Sequence, residues 1–161
     1  MATPVRTRGS RPALTLRQKA LRALARREYS RAELARKLGG SGASTTDIET
    51  LLGEFEASGW LSDERFAGGA ARQRQGRYSQ RYILEDLKAK GVAADTAKEA
   101  VGALEQDDYA SALALWRQRF GKAPVDQKEK ARQVRFLQSR GFSLQVVFKV
   151  LRDHGVQPDD E

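Results

Sequence analysis

A repeat of about 49 residues constrains this chain more than any other feature it carries. Shifting the sequence by 49 lays Tyr29-Ser30 over Tyr78-Ser79, Leu34 over Ile83, Leu38 over Leu87, Gly42 over Gly91 and Leu51-Leu52 over Ala100-Val101. A further shift of about 50 lays Leu87 over Leu137, Gly91 over Gly141, Val92 over Phe142 and Val101 over Leu151. Self-similarity at a fixed period of this size marks stacked supersecondary units, each too small to bury its apolar face alone. Three such modules follow.

Each module closes on the spacing i, i+3, i+4, i+7, one stripe of an amphipathic helix: Ile48, Leu51, Leu52, Phe55; then Ala97, Ala100, Val101, Leu104; then Val147, Val150, Leu151, His154. Ser30-Arg31-Ala32-Glu33 and Thr46-Asp47-Ile48-Glu49 have the S/T-x-x-E form that opens helices. Gly42, Gly59, Gly91, Gly141 and Gly155 stand where helices should stop. The first helices of the modules are expected over 15–28, 63–75 and 107–120. No run alternates as a strand does. The expectation is an all-α, elongated tandem array of three three-helix modules, about nine helices, over 13–61, 62–105 and 106–155, between a disordered basic arm (1–12) and an acidic tail (156–161).

Composition removes several function classes. There is no cysteine, so a disulfide framework, a thiolate nucleophile and a cysteine zinc site are all excluded. No apolar run approaches the roughly 20 residues of a membrane span, and the N-terminus lacks the apolar stretch of a secretory signal. A cytoplasmic protein, most simply a monomer with no membrane partner, is expected. The net charge of +8 is clustered: eight Lys/Arg and no acid lie between Met1 and Arg27, and five arginines and no acid between Arg65 and Leu84. Such a surplus speaks to partners rather than to fold.

Catalytic candidates are few. His154 is the sole histidine, without a second ligand for a metal, and reads as a partly buried residue at a helix C-terminus. Gly39-Gly40-Ser41-Gly42 lacks the Lys-Ser/Thr of a phosphate-binding loop and follows a helix, so it reads as a turn. The acid pairs Glu85-Asp86 and Asp107-Asp108 are adjacent, diverge on a helix and read as solvated surface or first-turn charges. Neither cofactor nor metal is expected, and no enzyme. Arg65, Arg72, Arg74, Arg77 and Arg81, interleaved with Gln73, Gln75, Tyr78, Gln80 and Tyr82, suit phosphate oxygens or a partner's carboxylates. Arg31, Arg36 and Lys37 form a second basic face, in the first module. Arg6, Arg8 and Arg11 lie in the basic arm.

At the first module junction the chain reads Gly59-Trp60-Leu61-Ser62-Asp63-Glu64-Arg65-Phe66-Ala67. With Ser30-x-x-Glu33-Leu34-x-x-x-Leu38 upstream, and Arg72 to Leu87 and Lys90-Gly91-Val92 downstream, it resembles the RecX family of bacterial regulatory proteins over about residues 16–153. That resemblance implies tandem three-helix modules that bind the RecA recombinase filament along its groove and restrain strand exchange, ATP hydrolysis and coprotease activity. It also implies binding to single- and double-stranded DNA with little sequence dependence, and it offers no catalytic residues to carry over. Trp60, Leu61, Asp63 and Phe66 are expected at the structural junction, with Trp60 and Phe66 as hinges. Gly68-Gly69 departs from the larger residues usual there. An alternative reading is a helix-turn-helix transcription regulator, which short helices, glycine turns and a basic excess would also permit.

Overall fold

The computed structural model describes residues 13–155, so the expected basic arm, with Arg6, Arg8 and Arg11, and the expected acidic tail lie outside the described residues. Among the described residues there are nine α-helices and no strand. They are α1 (Leu16–Arg26), α2 (Arg31–Gly39), α3 (Thr45–Ala57), α4 (Asp63–Arg74), α5 (Gln80–Ala89), α6 (Ala94–Gly102), α7 (Asp108–Arg119), α8 (Gln127–Ser139) and α9 (Leu144–Val150). Leu151–Gly155 then winds into one wider π-turn.

Hydroxyl caps open most of these helices. Thr15 and Ser30 form reciprocal capping boxes with Gln18 and Glu33. Helix α3 is capped two residues before the Thr46 signal: Ser44 has the extended backbone an N-cap needs (φ −68°, ψ 153°) and accepts Asp47 N–H at 3.1 Å, which places Thr46 inside the first turn. Helix α1 stops at Arg26, short of the expected Glu28, because Arg27 is already extended (φ −163°).

At the end of α3 the chain closes a Schellman motif. Gly59 has φ +77°, its N–H reaches Glu56 O at 3.1 Å, and Trp60 N–H reaches Phe55 O at 2.9 Å. The apolar contact of that motif is Trp60 edge-on to Phe55, with ring centroids 5.3 Å apart. Trp60 is therefore no hinge between modules. It folds back on its own module, stays 45% exposed, and leaves Leu61 to enter the first core at 2% exposure. Phe66 is no hinge either, since it is a buried member of the second core.

Three cores result, one per module, built on Leu34, Leu52 and Phe55, on Phe66, Ile83 and Leu87, and on Trp116, Leu137 and Val147. The third encloses a polar pair: Trp116 Nε1–H donates to Gln133 Oε1 at 2.8 Å, and Gln133 Nε2–H donates to Lys122 O at 3.1 Å. Broad helix-to-helix contact stays within modules: α2 with α1 and α3, then α4, α5 and α6 together, then α7, α8 and α9 together. The modules thus stand in a row, an elongated array as the repeat predicts. Helix α4 runs unbroken through Gly68-Gly69, and the Arg72 guanidinium lies 3.2 Å from where a Gly68 methyl would stand.

Candidate nucleic-acid and protein interface

Neighbouring modules are joined by the same clasp, used twice. Between the first and second, Asp63, first residue of α4, accepts Arg31 N–H at the start of α2 at 2.8 Å, and Ser30 Oγ–H donates to Lys90 O at 2.7 Å. Between the second and third, Asp108, first residue of α7, accepts Gln80 N–H at 3.1 Å, and Ser79 N–H donates to Arg140 O at 2.9 Å. Glycine lets the backbones approach in both. A methyl on Gly91 would run into Ala32 Cβ, and one on Gly141 would lie 2.6 Å from Ser79 Oγ and Tyr82 Cβ. Gln106 extends the second clasp, accepting Gly76 N–H at 3.0 Å and donating to Tyr78 O at 2.8 Å.

These joints divide the basic residues singled out in the sequence. Arg65 is spent on structure: it forks onto Glu28 and donates to Gly59 O at 3.0 Å and Trp60 O at 3.2 Å, and the hydrogen bond to Glu28 holds its guanidinium above the ordinary arginine value. Arg31 is spent too. It pairs with Glu56 and, at 2.5 Å, with Glu49, and hydrogen bonds to Glu49 first and Glu56 second raise its pKa. Arg74 pairs with Asp86 at 3.1 Å and donates to Ala70 O. Of the acid pairs, Asp108 is a first-turn charge, as one of the two readings has it, and also closes a clasp; Asp107 caps α7, and Asp86 holds both Arg74 and Lys90.

Arg72, Arg77 and Arg81 remain exposed and, among the described residues, pair with no carboxylate. They do not share one helix face, because α4 ends at Arg74 and Gly76 turns the chain with φ +78°. The Arg72 guanidinium lies back along α4 beside Gly68, while Arg77 and Arg81 flank the turn into α5. Beside them Tyr78 and Tyr82 stack at 4.3 Å with 12° between planes, and Arg140 of the third module lies over the Tyr78 ring at 5.2 Å. Arg140 was not visible as a candidate in sequence, although its match to Lys90 across the repeat is a usable signal. Arg36 and Lys37 are also exposed, with Lys37 Nζ 5.9 Å from the Tyr29 ring.

The opposite sign collects elsewhere. Helix α3 carries Asp47, Glu49, Glu54 and Glu56 and no cation of its own, and three of these acids are paired, Glu49 and Glu56 with Arg31 and Glu54 with Arg17 at 3.5 Å. His154 is exposed rather than partly buried, because the π-turn carries it outward to Tyr109: its Nε2 lies 3.0 Å from the Tyr109 hydroxyl, which donates to Asp153 at 2.8 Å. Among the described residues no helix is long and apolar enough to cross a membrane, and no group of three His, Asp or Glu could hold a metal ion.

The family comparisons follow this modular division. Models of the first, second and third three-helix domains of RecX match residues 17–55, 62–101 and 105–151 in order. The chain belongs to the RecX family. The Regulatory protein RecX of Leptothrix cholodnii is 45% identical over 147 residues, covering 90% of this chain and 94% of that one. The RecX of Chromobacterium violaceum is 42% identical over 137 residues, covering 85% and 89%. The crystal structure of RecX from Lactobacillus salivarius has the same fold, with a TM-score of 0.68 at 17% identity over 86% of this chain and 93% of that one.

Proposed function

We propose that this RecX chain binds the RecA–DNA filament as a cytoplasmic monomer and mainly inhibits its recombinase activities, with electrostatic, weakly sequence-dependent DNA binding of its own. The observation that carries the reading is the set Arg72, Arg77 and Arg81, left exposed and unpaired, the last two in the segment of the Tyr78–Tyr82 stack, while Arg31, Arg65 and Arg74 are consumed by internal carboxylates. Arginine forks next to an aromatic edge suit a phosphate backbone or a partner's acidic surface. A row of clasped modules presents such groups along a line, which matches a polymer better than a single short site. A transcription regulator would need a base-reading helix, and α3, the last helix of the first module, carries no cation to offer phosphate or base edges.

The test is titration of the purified chain into RecA assembled on single-stranded DNA, with ATP turnover as the readout. The variant Arg72→Ala/Arg77→Ala/Arg81→Ala should melt as the parent does, since exposed charges contribute little to folding, and should lose inhibition. Its DNA affinity should also fall less steeply with salt, by about 0.7 to 0.9 in log–log slope for each phosphate that is no longer neutralised. Undiminished inhibition by the triple variant would move the working surface elsewhere, with Arg36 and Lys37 next in line.

A further inference from the structure

The clasp that joins modules one to two and two to three leaves one end face over. On the first module that face is made by the start of α2 and the end of α3 and is covered by Asp63 and Arg65; on the second it is covered by Gln106 and Asp108. On the third, the loop before α8, the first turn of α8 and the end of α9 instead enclose an open groove of about 1430 Å³.

The groove differs from its counterparts in charge. Lys130 stands 99 residues after Arg31, and Phe148 99 after Glu49, the sum of the two repeat shifts. In the first module Arg31 grips Glu49 at 2.5 Å; here Lys130 Nζ lies 5.8 Å from the centre of the Phe148 ring. An aromatic has replaced the carboxylate, so the cation is left uncompensated. Lys122 and Arg152 line the same groove. Nearby acids are engaged, since Asp126 caps α8 by accepting Glu129 N–H at 2.7 Å and Asp153 takes the Tyr109 hydroxyl.

We propose that this end face is a docking site for an acidic amphipathic helix of a partner protein. The seat differs from the other two, where Asp63 and Asp108 accept the N–H that opens α2 and α5: here α8 starts at Gln127 under its own Asp126 cap and Lys130 N–H is bonded to Asp126 O at 3.0 Å, so the side-chain cations are what can receive an acid. The uncompensated cations favour an acidic occupant, and half-exposed Phe148 over buried Leu151 provides an apolar seat beside them. A second copy of this chain fits poorly. Its free first module begins with Leu16, has no acid in the first turn of α1, and carries a surplus of cations.

The probe is a fluorescein-labelled synthetic helix that opens Ser-Asp-Glu, as the chain does at Ser62-Asp63-Glu64, followed by an amphipathic Ala/Leu body, with binding to the full chain read by anisotropy. Saturable binding is expected. It should weaken at least about tenfold in Lys122→Glu/Lys130→Glu and in Phe148→Ser, and for a peptide whose two acids are replaced by lysine. Matched melting curves ensure that folding is not what changed. The proposal is overturned if the peptide does not bind, or binds the double variant equally well. It is also overturned if an oligo-dT strand loses affinity in the double variant as much as the peptide does, which would make the groove a nucleic-acid site. Self-association that the double variant abolishes would assign the face to a second copy, and binding that appears only after removal of residues 156–161 would assign it to the chain's own acidic end.

Discussion

Ser30 and Lys90, 60 residues apart, meet at 2.7 Å: the hydroxyl that caps α2 by accepting Glu33 N–H donates its own proton to the carbonyl at the end of α5. One buried side chain thus starts a helix and fastens two modules. Ser79, its counterpart, also caps a helix, but there the joint is made by its backbone N–H to Arg140 O. Ser30→Ala should therefore cost about 2 kcal/mol, a lost cap plus an orphaned buried carbonyl, and Ser79→Ala about 1 kcal/mol, the cap alone. Chemical denaturation of the two variants checks the difference, and equal losses would mean that the Ser30–Lys90 bond contributes nothing.

The joint glycines make a second, sharper comparison. Gly42 and Gly91 both have φ above +80°, so alanine at either suffers the left-handed backbone cost of about 1 to 2 kcal/mol. Only at Gly91 does the new methyl also strike Ala32 across the joint, while nothing lies within 4 Å at Gly42. Gly91→Ala is expected to cost a further 1 to 3 kcal/mol, roughly, from overpacking. It should also splay the first two modules, visible as a longer maximum dimension in small-angle scattering. Gly42→Ala should leave the scattering profile unchanged.

Two helix glycines carry the opposite expectation. Gly53 in α3 meets nothing within 4 Å, and Gly69 in α4 meets only the tip of the Arg72 side chain at 4.0 Å. Neither has a positive φ. Gly53→Ala and Gly69→Ala should each stabilise the chain by up to about 1 kcal/mol through helix propensity and a less disordered unfolded state. Thermal melting reads this directly.

The pairing of Tyr109 with Asp153 predicts an alkaline transition. Its hydrogen bond to Asp153, first of several causes, raises the phenol above the ordinary tyrosine value. A group whose proton is held more tightly in the folded state contributes stability that is fully present below its unfolded pKa, about 10, and lost as pH rises through the higher folded value. In an ultraviolet phenolate titration one of the four tyrosines should ionise late, and Tyr109→Phe should remove that step. A titration with all tyrosines ionising together would place Tyr109 in solvent.

What the sequence made legible was whatever is local. The stripe Ile48, Leu51, Leu52, Phe55 repeats within two turns, and all four residues are buried in α3. The Gly59 turn is written in five adjacent residues and forms as expected. What stayed hidden joins distant segments: Arg65 with Glu28, Arg31 with Glu56, Gln80 with Asp108. A one-dimensional charge count sees five acid-free arginines in a row but not the carboxylates that the fold brings to two of them. The recurrence of an aspartate at the start of α4 and of α7 was a signal for the clasp, because standing first in the opening helix of a module, rather than local charge, is what the two share.

Gln133 is the clearest such case, a buried polar residue on the α8 stripe that periodicity alone would assign to an apolar side chain. Its amide is 1% exposed and serves both neighbours, accepting from Trp116 Nε1–H at 2.8 Å and donating to Lys122 O at 3.1 Å. Replacing it with leucine keeps the volume but strands an indole N–H in the third core and frees the loop before α8. The cost of an unsatisfied buried donor is about 1 to 3 kcal/mol, more than the added apolar surface returns, because the site is already closed to water. Gln133→Leu should therefore lower stability, whereas Gln133→Leu with Trp116→Phe, which removes both polar partners, should recover part of the loss. A double-mutant cycle by urea denaturation measures that coupling. If the two single losses simply add, the Trp116–Gln133 bond is not what holds the third module closed.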